Sequence, residues 1–308
     1  MAPFLVKISK KSTHINSPIN KFQQSYIAMG AGCNQLVTNI RAYGSYLVGT
    51  SETTRTSHLD ISKDLNFNQW LAGLIDGDGS LLVSKLGYCS CEITVSLADE
   101  RTLRIIQNKL GGSVKLRSGV KAVRYRLHHR QGMLDLIYRI NGLIRHSSRF
   151  KQLNHVCSTL GIVCKLPDTL HDKHSWLVGF FDADGCISYS LKGPNKIPQL
   201  TISVTNKLLT DVLPFSYVFG GNIYYDRSQN GYYKWSVQSR ESLFKMLTYF
   251  KVCPSFTIKS HRIHLIPEFF SLIDLKAYSA PTNSSLHVAW VKFNHKWNSK
   301  CEDIVQTI

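Results

Sequence analysis

Two near-copies of one phrase carry paired acids: Trp70-Leu-Ala-Gly-Leu-Ile-Asp-Gly-Asp-Gly-Ser80 and Trp176-Leu-Val-Gly-Phe-Phe-Asp-Ala-Asp-Gly-Cys186. In each, an apolar helical run ends in Asp-x-Asp-Gly, which puts carboxylates at a helix C-terminus where unpaired carbonyls add negative potential. Ala72, Gly73 and Gly179 leave room for two backbones to approach closely. If the helices pack with their ends level, Asp78 and Asp184 meet at one point. Two carboxylates with neighbouring carbonyl oxygens make a hard oxygen site suited to Mg²⁺. In a basic protein such a site points to phosphodiester hydrolysis by bound metal. Asp76 and Asp182 come two residues earlier and point elsewhere, so they are expected to cap or to hydrogen-bond backbone rather than to ligate.

The elements that position these acids must come from a chain of 308 residues, 43% hydrophobic, which is enough for a substantial core. The formal net charge of +17 calls for an anionic partner, with nucleic acid the leading candidate. The eight cysteines form no Cys-x-x-Cys pair and suit a reducing compartment. Cys253, His261 and His264 lack a fourth ligand and zinc-site spacing, so they read as packing residues. No apolar run approaches the length of a membrane span, which argues against a membrane partner. The first acid is Glu52, behind Lys7, Lys10, Lys11, Lys21 and Arg41. Residues 1–60 are therefore expected to form a basic, partly disordered extension: an organelle transit peptide, a basic arm, or sequence carried over from an upstream reading frame.

Asp76 to Asp182, Leu110 to Phe219 and Val123 to Tyr233 all span about 106 to 110 residues, which marks an internal repeat. Each repeat reads αββαββα. In the first, the motif helix precedes strands near 81–84 and 92–97, a helix near 100–110 ended by Gly111-Gly112, strands near 113–117 and 122–128, and helices near 132–141 and 148–160. The second predicts strands near 187–192, 199–205, 222–226 and 232–238, with helices near 208–219, 241–250 and 256–273. The expected fold is α+β, with halves at 61–161 and 174–308 and an aperiodic linker at 162–173 containing Pro167.

Strand alternation sends Ser84, Lys115, Arg117, Arg124, Arg126 and His128 to the outer face of the first sheet. It sends Ser188, Ser190, Lys192, Gln199, Thr201, Ser203, Lys234, Ser236 and Gln238 to that of the second. Cations mixed with Ser, Thr and Gln suit phosphate contacts and base-edge reading in a major groove. Asp99 and Asn206 follow matching strands, where each either caps the next helix or holds a water near the metal site. Arg149 and Lys259 are late cations, either solvated or within reach of the scissile phosphates.

These residues resemble the LAGLIDADG homing endonuclease family in its single-chain, two-motif form, over roughly residues 66–275. Leu71-Ala-Gly-Leu-Ile-Asp-Gly-Asp-Gly79 departs from the name at Gly77 alone, and Leu177-Val-Gly-Phe-Phe-Asp-Ala-Asp-Gly185 at three apolar positions. The resemblance implies two pseudo-symmetric αββαββα halves paired through the motif helices, with saddle-shaped antiparallel sheets straddling DNA. It implies Asp78 and Asp184 as ligands of two or three shared Mg²⁺ ions, helped by the Gly77 and Ala183 carbonyls. It also implies Asp99 and Asn206 ordering water, and Arg149 and Lys259 acting at the phosphates. The family usually has lysine in the first half, so Arg149 is a departure, with Lys151 as the alternative. The implied activity is metal-dependent double-strand cleavage of a long asymmetric site by a monomer, spreading introns in mitochondria or chloroplasts. The alternative is an RNA maturase that binds group I intron RNA, with or without cleavage. An intein is disfavoured, because Met1 and Thr307-Ile308 are not splicing-junction residues.

Overall fold

The first motif forms helix α1 (Leu65–Asp78), and at Gly79 the backbone turns extended and runs straight into strand β1 (Gly79–Val83). The computed structural model describes residues 64–228 and 230–299; the expected extension at 1–60 lies outside them. β2 (Cys89–Ser96) buries Cys91, Ile93 and Val95 beneath it. A short 3₁₀ turn leads into α2 (Glu100–Leu110), which buries Leu103, Ile106 and Leu110. It stops at Gly111 and Gly112, whose φ of 73° and 84° only glycine adopts freely. β3 (Ser113–Leu116), β4 (Ala122–Leu127), α3 (Arg130–Ile140) and α4 (Ser147–Leu160) complete the half.

The second motif forms α5 (Trp176–Asp184), and the order repeats: β5 (Gly185–Lys192), β6 (Ile197–Asn206), α6 (Leu209–Phe219), β7 (Asn222–Asp226), β8 (Tyr232–Val237) and α7 (Arg240–Val252). Both sheets are antiparallel, with order β1-β2-β4-β3 and β5-β6-β8-β7. Each is therefore built from two hairpins joined at their second and fourth strands, and the chain is the expected α+β pair of αββαββα halves.

α1 and α5 form the spine between the sheets. A Cβ on Gly73 would sit 2.7 Å from the Phe180 nitrogen and closer still to the Trp176 carbonyl, while one on Gly179 would strike the Trp70 carbonyl. Only glycine at both positions lets the backbones touch. The contact is locked by an exchange. Trp70 Nε1 donates to Asp182 Oδ2 at 2.9 Å, and Trp176 Nε1 donates to Asp76 Oδ2 at 2.7 Å. The first residue of each motif thus satisfies a buried acid in the other.

Two features depart from the sequence reading. The helix expected at 256–273 is two, α8 (Lys259–His264) and α9 (Ile266–Asp274), because Pro267 has no N–H to continue the ladder and instead opens a new helix. Beyond them α10 (Ser285–Asn298), not anticipated, packs Trp290, Phe293 and Trp297 around Tyr189 and Phe269, backing edge strand β5. Arg262 anchors its end, donating from Nε to the Trp297 carbonyl at 3.1 Å and from Nη1 to the Ile187 carbonyl at 3.1 Å.

Candidate metal centre and nucleic-acid face

Each motif helix ends beside a cation from its own half. Lys259 Nζ donates to the carbonyls of Phe181, Asp182 and Ala183 at 2.9, 2.8 and 2.8 Å. Arg149 Nε donates to the Ile75 carbonyl at 3.2 Å, and its Nη2 to that of Gly77 at 3.4 Å. The Ile75 and Phe181 carbonyls also accept the N–H groups of Gly79 and Gly185, so the cations add second bonds there and first partners at the carbonyls beyond, and positive charge stands where the helix dipole is negative. Lys151 is exposed, so Arg149 is the cation that reaches the helix end in the first half.

Asp78 is half-buried and Asp184 exposed at this junction, where Gly77 lies against Ala183 and the Asp184 carboxylate. Burial, and then the nearby Asp184 charge, push the Asp78 carboxyl up to about 6, with Lys259 and Arg149 pulling it back. Desolvation at the packed helix ends also raises Asp184, opposed by Lys259, His146 and Arg149. Burial lowers the Lys259 ammonium, while Asp182, Asp78, Asp99 and Asp184 hold it up. Two acids that repel each other and lack water on one side gain from a shared cation. Among the described residues, no cluster of three or more His, Cys, Asp or Glu side chains is placed to hold a metal. Two carboxylates with open positions left to water and phosphate oxygens nevertheless fit a hard divalent ion, which binds in that way.

Asp76 and Asp182 serve the fold. Asp182 accepts from Trp70, Ser255, Thr257 Oγ1 at 2.8 Å and the Phe256 N–H at 3.0 Å. Asp76 accepts from Trp176 and the Arg145 N–H at 2.8 Å, and burial pushes its carboxyl up to about 7.

Asp99 caps across the halves instead of capping its own helix: its Oδ1 accepts the Ile258 N–H at 2.8 Å, just before Lys259. Asn206 is the last residue of β6, paired with Tyr233, the place Val95 occupies opposite Val123. Matching it to Asp99 by sequence spacing is therefore corrected by strand register. The contact that mirrors Asp99 is made by Asp211, which accepts from the Ser147 N–H at 3.2 Å and from Ser147 Oγ at 2.9 Å. Asn206 Oδ1 instead meets His146 Nε2 at 3.1 Å. His146 lies in the field of Asp184 as Asp99 lies in that of Asp78. Neither His146 nor Asp211 was signalled in the sequence, because neither sits at a repeated position.

On the sheets, Ser84, Lys115, Arg117, Arg124, Arg126, His128, Ser188, Ser190, Lys192 and Gln238 are exposed, and Gln199, Thr201 and Lys234 are half-exposed. Ser203 and Ser236 are a correction. They pair across β6 and β8 on the expected face, yet both are buried, at 3% and 4% exposure. Alternation predicts direction but not height, and a pair of short side chains in the middle strands sinks among longer ones. Sequence reasoning also passed over Glu92, which sits on the first outer face between Arg124 and Arg126.

A family model described as LAGLIDADG endonuclease matches residues 71–160 and 177–270. The chain belongs to the LAGLIDADG endonuclease family, with two motifs in one polypeptide. It is 50% identical to the intron-encoded RNA maturase bI4 of Saccharomyces cerevisiae, over 86% of this chain and 47% of that protein. It is 48% identical to a probable intron-encoded endonuclease, aI2, of Debaryomyces hansenii, over 85% and 46%. The chain thus spans about half the length of these two relatives. It is 34% identical to the intron-encoded DNA endonuclease ai2b of Dictyostelium discoideum, over 77% and 92%. The same fold occurs in the LAGLIDADG homing endonuclease I-LtrWI bound to target DNA, with a TM-score of 0.59 at 14% identity over 78% of this chain and 99% of that one.

Proposed function

We propose that this chain is a monomeric, site-specific DNA endonuclease that makes metal-dependent double-strand breaks in a long asymmetric target, spreading the intron that encodes it, in mitochondria. The observation that carries this reading is the meeting of Asp78 and Asp184 at the ends of two packed helices, between two sheets whose outer faces carry cations and hydroxyls. The intron-encoded endonucleases among its relatives support it.

Asp78 and Asp184 would hold Mg²⁺, two or three ions in all, with the Gly77 and Ala183 carbonyls adding oxygen donors through the lone pairs that Arg149 and Lys259 leave open. When bound, such ions activate water and neutralise charge on the phosphate. The chain's own part is positional. The sheets fix the register of the duplex through phosphates and base edges. Lys259 and Arg149 keep the two helix ends level and stand as positive charge beside the scissile phosphates. Asp99, and Asn206 with His146, flank the two acids where they can order water. No helix among the described residues is long and apolar enough to cross a membrane.

The test is cleavage of a randomised duplex library by purified protein in Mg²⁺, with EDTA as control. Discrete metal-dependent cuts with short 3′ overhangs are expected. The maturase among the relatives makes intron RNA a second candidate partner. Tight binding to structured intron RNA without DNA cleavage would replace the endonuclease reading with that one.

A further inference from the structure

Glu92 is an anomaly on a surface that would face a polyanion. It projects from β2 on the outer face, directly opposite Arg126 and diagonal to Arg124. Its Oε1 lies 3.1 Å from Arg126 Nε and its Oε2 3.3 Å from Arg124 Nη1. The carboxylate is 20% exposed, whereas Arg124 and Arg126 are 44% and 54% exposed. One recessed acid thus holds two outward arginines, Arg126 at Nε and Arg124 at Nη1. The rest of each guanidinium, Nη1 and Nη2 of Arg126 and Nη2 with Nε of Arg124, is left as a planar pair of donors.

We propose that Glu92, Arg124 and Arg126 form a guanine reader: Glu92 is a positioning residue that aims both arginines at two guanines in the half of the target covered by the first sheet. The inference deepens the DNA-binding reading above and rests on it. An acid weakens contact with phosphates, so its place on such a face is over base edges rather than the backbone. There, an arginine fork donates to guanine O6 and N7, and the recessed carboxylate, with one oxygen on each arginine, acts by holding both forks in place. Alternate residues of a strand stand about 6.8 Å apart, and the duplex rises about 3.4 Å per base pair. Two arginines converging on one acid therefore reach guanines within two steps of each other.

The second sheet lacks the device at the matching place. Where Glu92 faces Arg126, Ser203 faces Ser236, both buried; Lys234 takes the place of Arg124, and its neighbours are Thr205 and Tyr224. Those residue types make no paired-donor fork. The guanine preference accordingly belongs to one half-site.

The experiment is selection of bound duplexes from a randomised library in Ca²⁺ and in EDTA, read as base preference at each position, with the full chain and with E92Q, R124A and R126A. Thermal melting confirms that each variant is folded. The expected result is two guanines within two steps in one half-site. R124A and R126A should each erase one of them, with a loss of about tenfold to about hundredfold for the selected site. E92Q should flatten both preferences while leaving affinity for unrelated duplexes unchanged or higher. A pair that only staples the sheet would shift melting in E92Q without moving base preference, and that outcome overturns the proposal. Binding with no guanine preference under the first sheet also overturns it and leaves the DNA-binding reading standing. Absence of duplex binding in every condition overturns both.

Discussion

The two halves share a scaffold and differ in what they display on it. The first sheet presents Lys115, Arg117, Arg124 and Arg126 with Glu92 among them, whereas the second presents Ser188, Ser190, Gln199, Thr201 and Tyr224 with only Lys192 and Lys234 as cations. The helix ends differ as well: Lys259 donates to three carbonyls at 2.8 to 2.9 Å, and Arg149 to only two, at 3.2 and 3.4 Å. Duplication preserved what closes the spine and left the outer faces of the sheets free to diverge. The asymmetric DNA site proposed above would require that divergence.

The largest effect should fall on what the halves hold in common. Asp78→Asn and Asp184→Asn should each lower cleavage of at least one strand by about a thousandfold or more, with specific binding largely kept. Nicking assays on end-labelled duplex, with a parallel binding titration, separate the two quantities. Parallel loss of binding in either variant would mean that the acid is structural. Gly73→Val and Gly179→Val test the spine. Overpacking against backbone cannot be relieved by a rotamer change, so each should cost about 3 kcal/mol or more in denaturant unfolding, and the two costs should be similar.

Smaller effects should expose the asymmetry. Lys259→Ala removes three hydrogen bonds to the helix end and should slow single-turnover cleavage by about 10²-fold or more, on the scale of a lost transition-state donor, while Arg149→Ala should slow it less. Equal losses would mean that bond number at the helix ends is irrelevant. Trp70→Phe leaves Asp182 with three other donors, whereas Trp176→Phe leaves Asp76 with fewer. The second should destabilise more, by about 1 to 3 kcal/mol, in thermal or chemical unfolding. The smallest change is expected from Lys192→Ala, which should reduce the salt slope of DNA binding by about 1 and leave sequence preference intact.

Much of this was legible in the sequence because periodicity and repetition are local. The motifs, the two glycine contacts and the inward Val123, Tyr125 and Leu127 can each be read from a few neighbouring residues, whereas the bonds from Arg149 and Lys259 to the helix-end carbonyls cannot. What escaped depends on chain brought together from far apart. Asp211 pairs with Ser147 across 64 positions, and nothing near either residue announces it. Sequence spacing matched Asn206 to Asp99, yet the hairpins differ in length, so register separates them. Ser203 and Ser236 point as alternation requires and still lie buried, because the height of a neighbour is not written in the strand itself. α10 belongs to no repeat, and its Trp290, Phe293 and Trp297 show their purpose only once Tyr189 and Phe269 are seen beneath them.

The exchange of tryptophans between the motifs also sets a schedule for making the protein. Trp176 is synthesised 100 residues after Asp76, the acid it completes. At roughly 5 to 20 residues per second, the first half waits on the order of 5 to 20 s with its spine helix uncovered. Either half made alone would keep a carboxylate and an indole whose partners lie on the other. The second half is thus the last folding element of the first, and the order of translation becomes part of the assembly pathway.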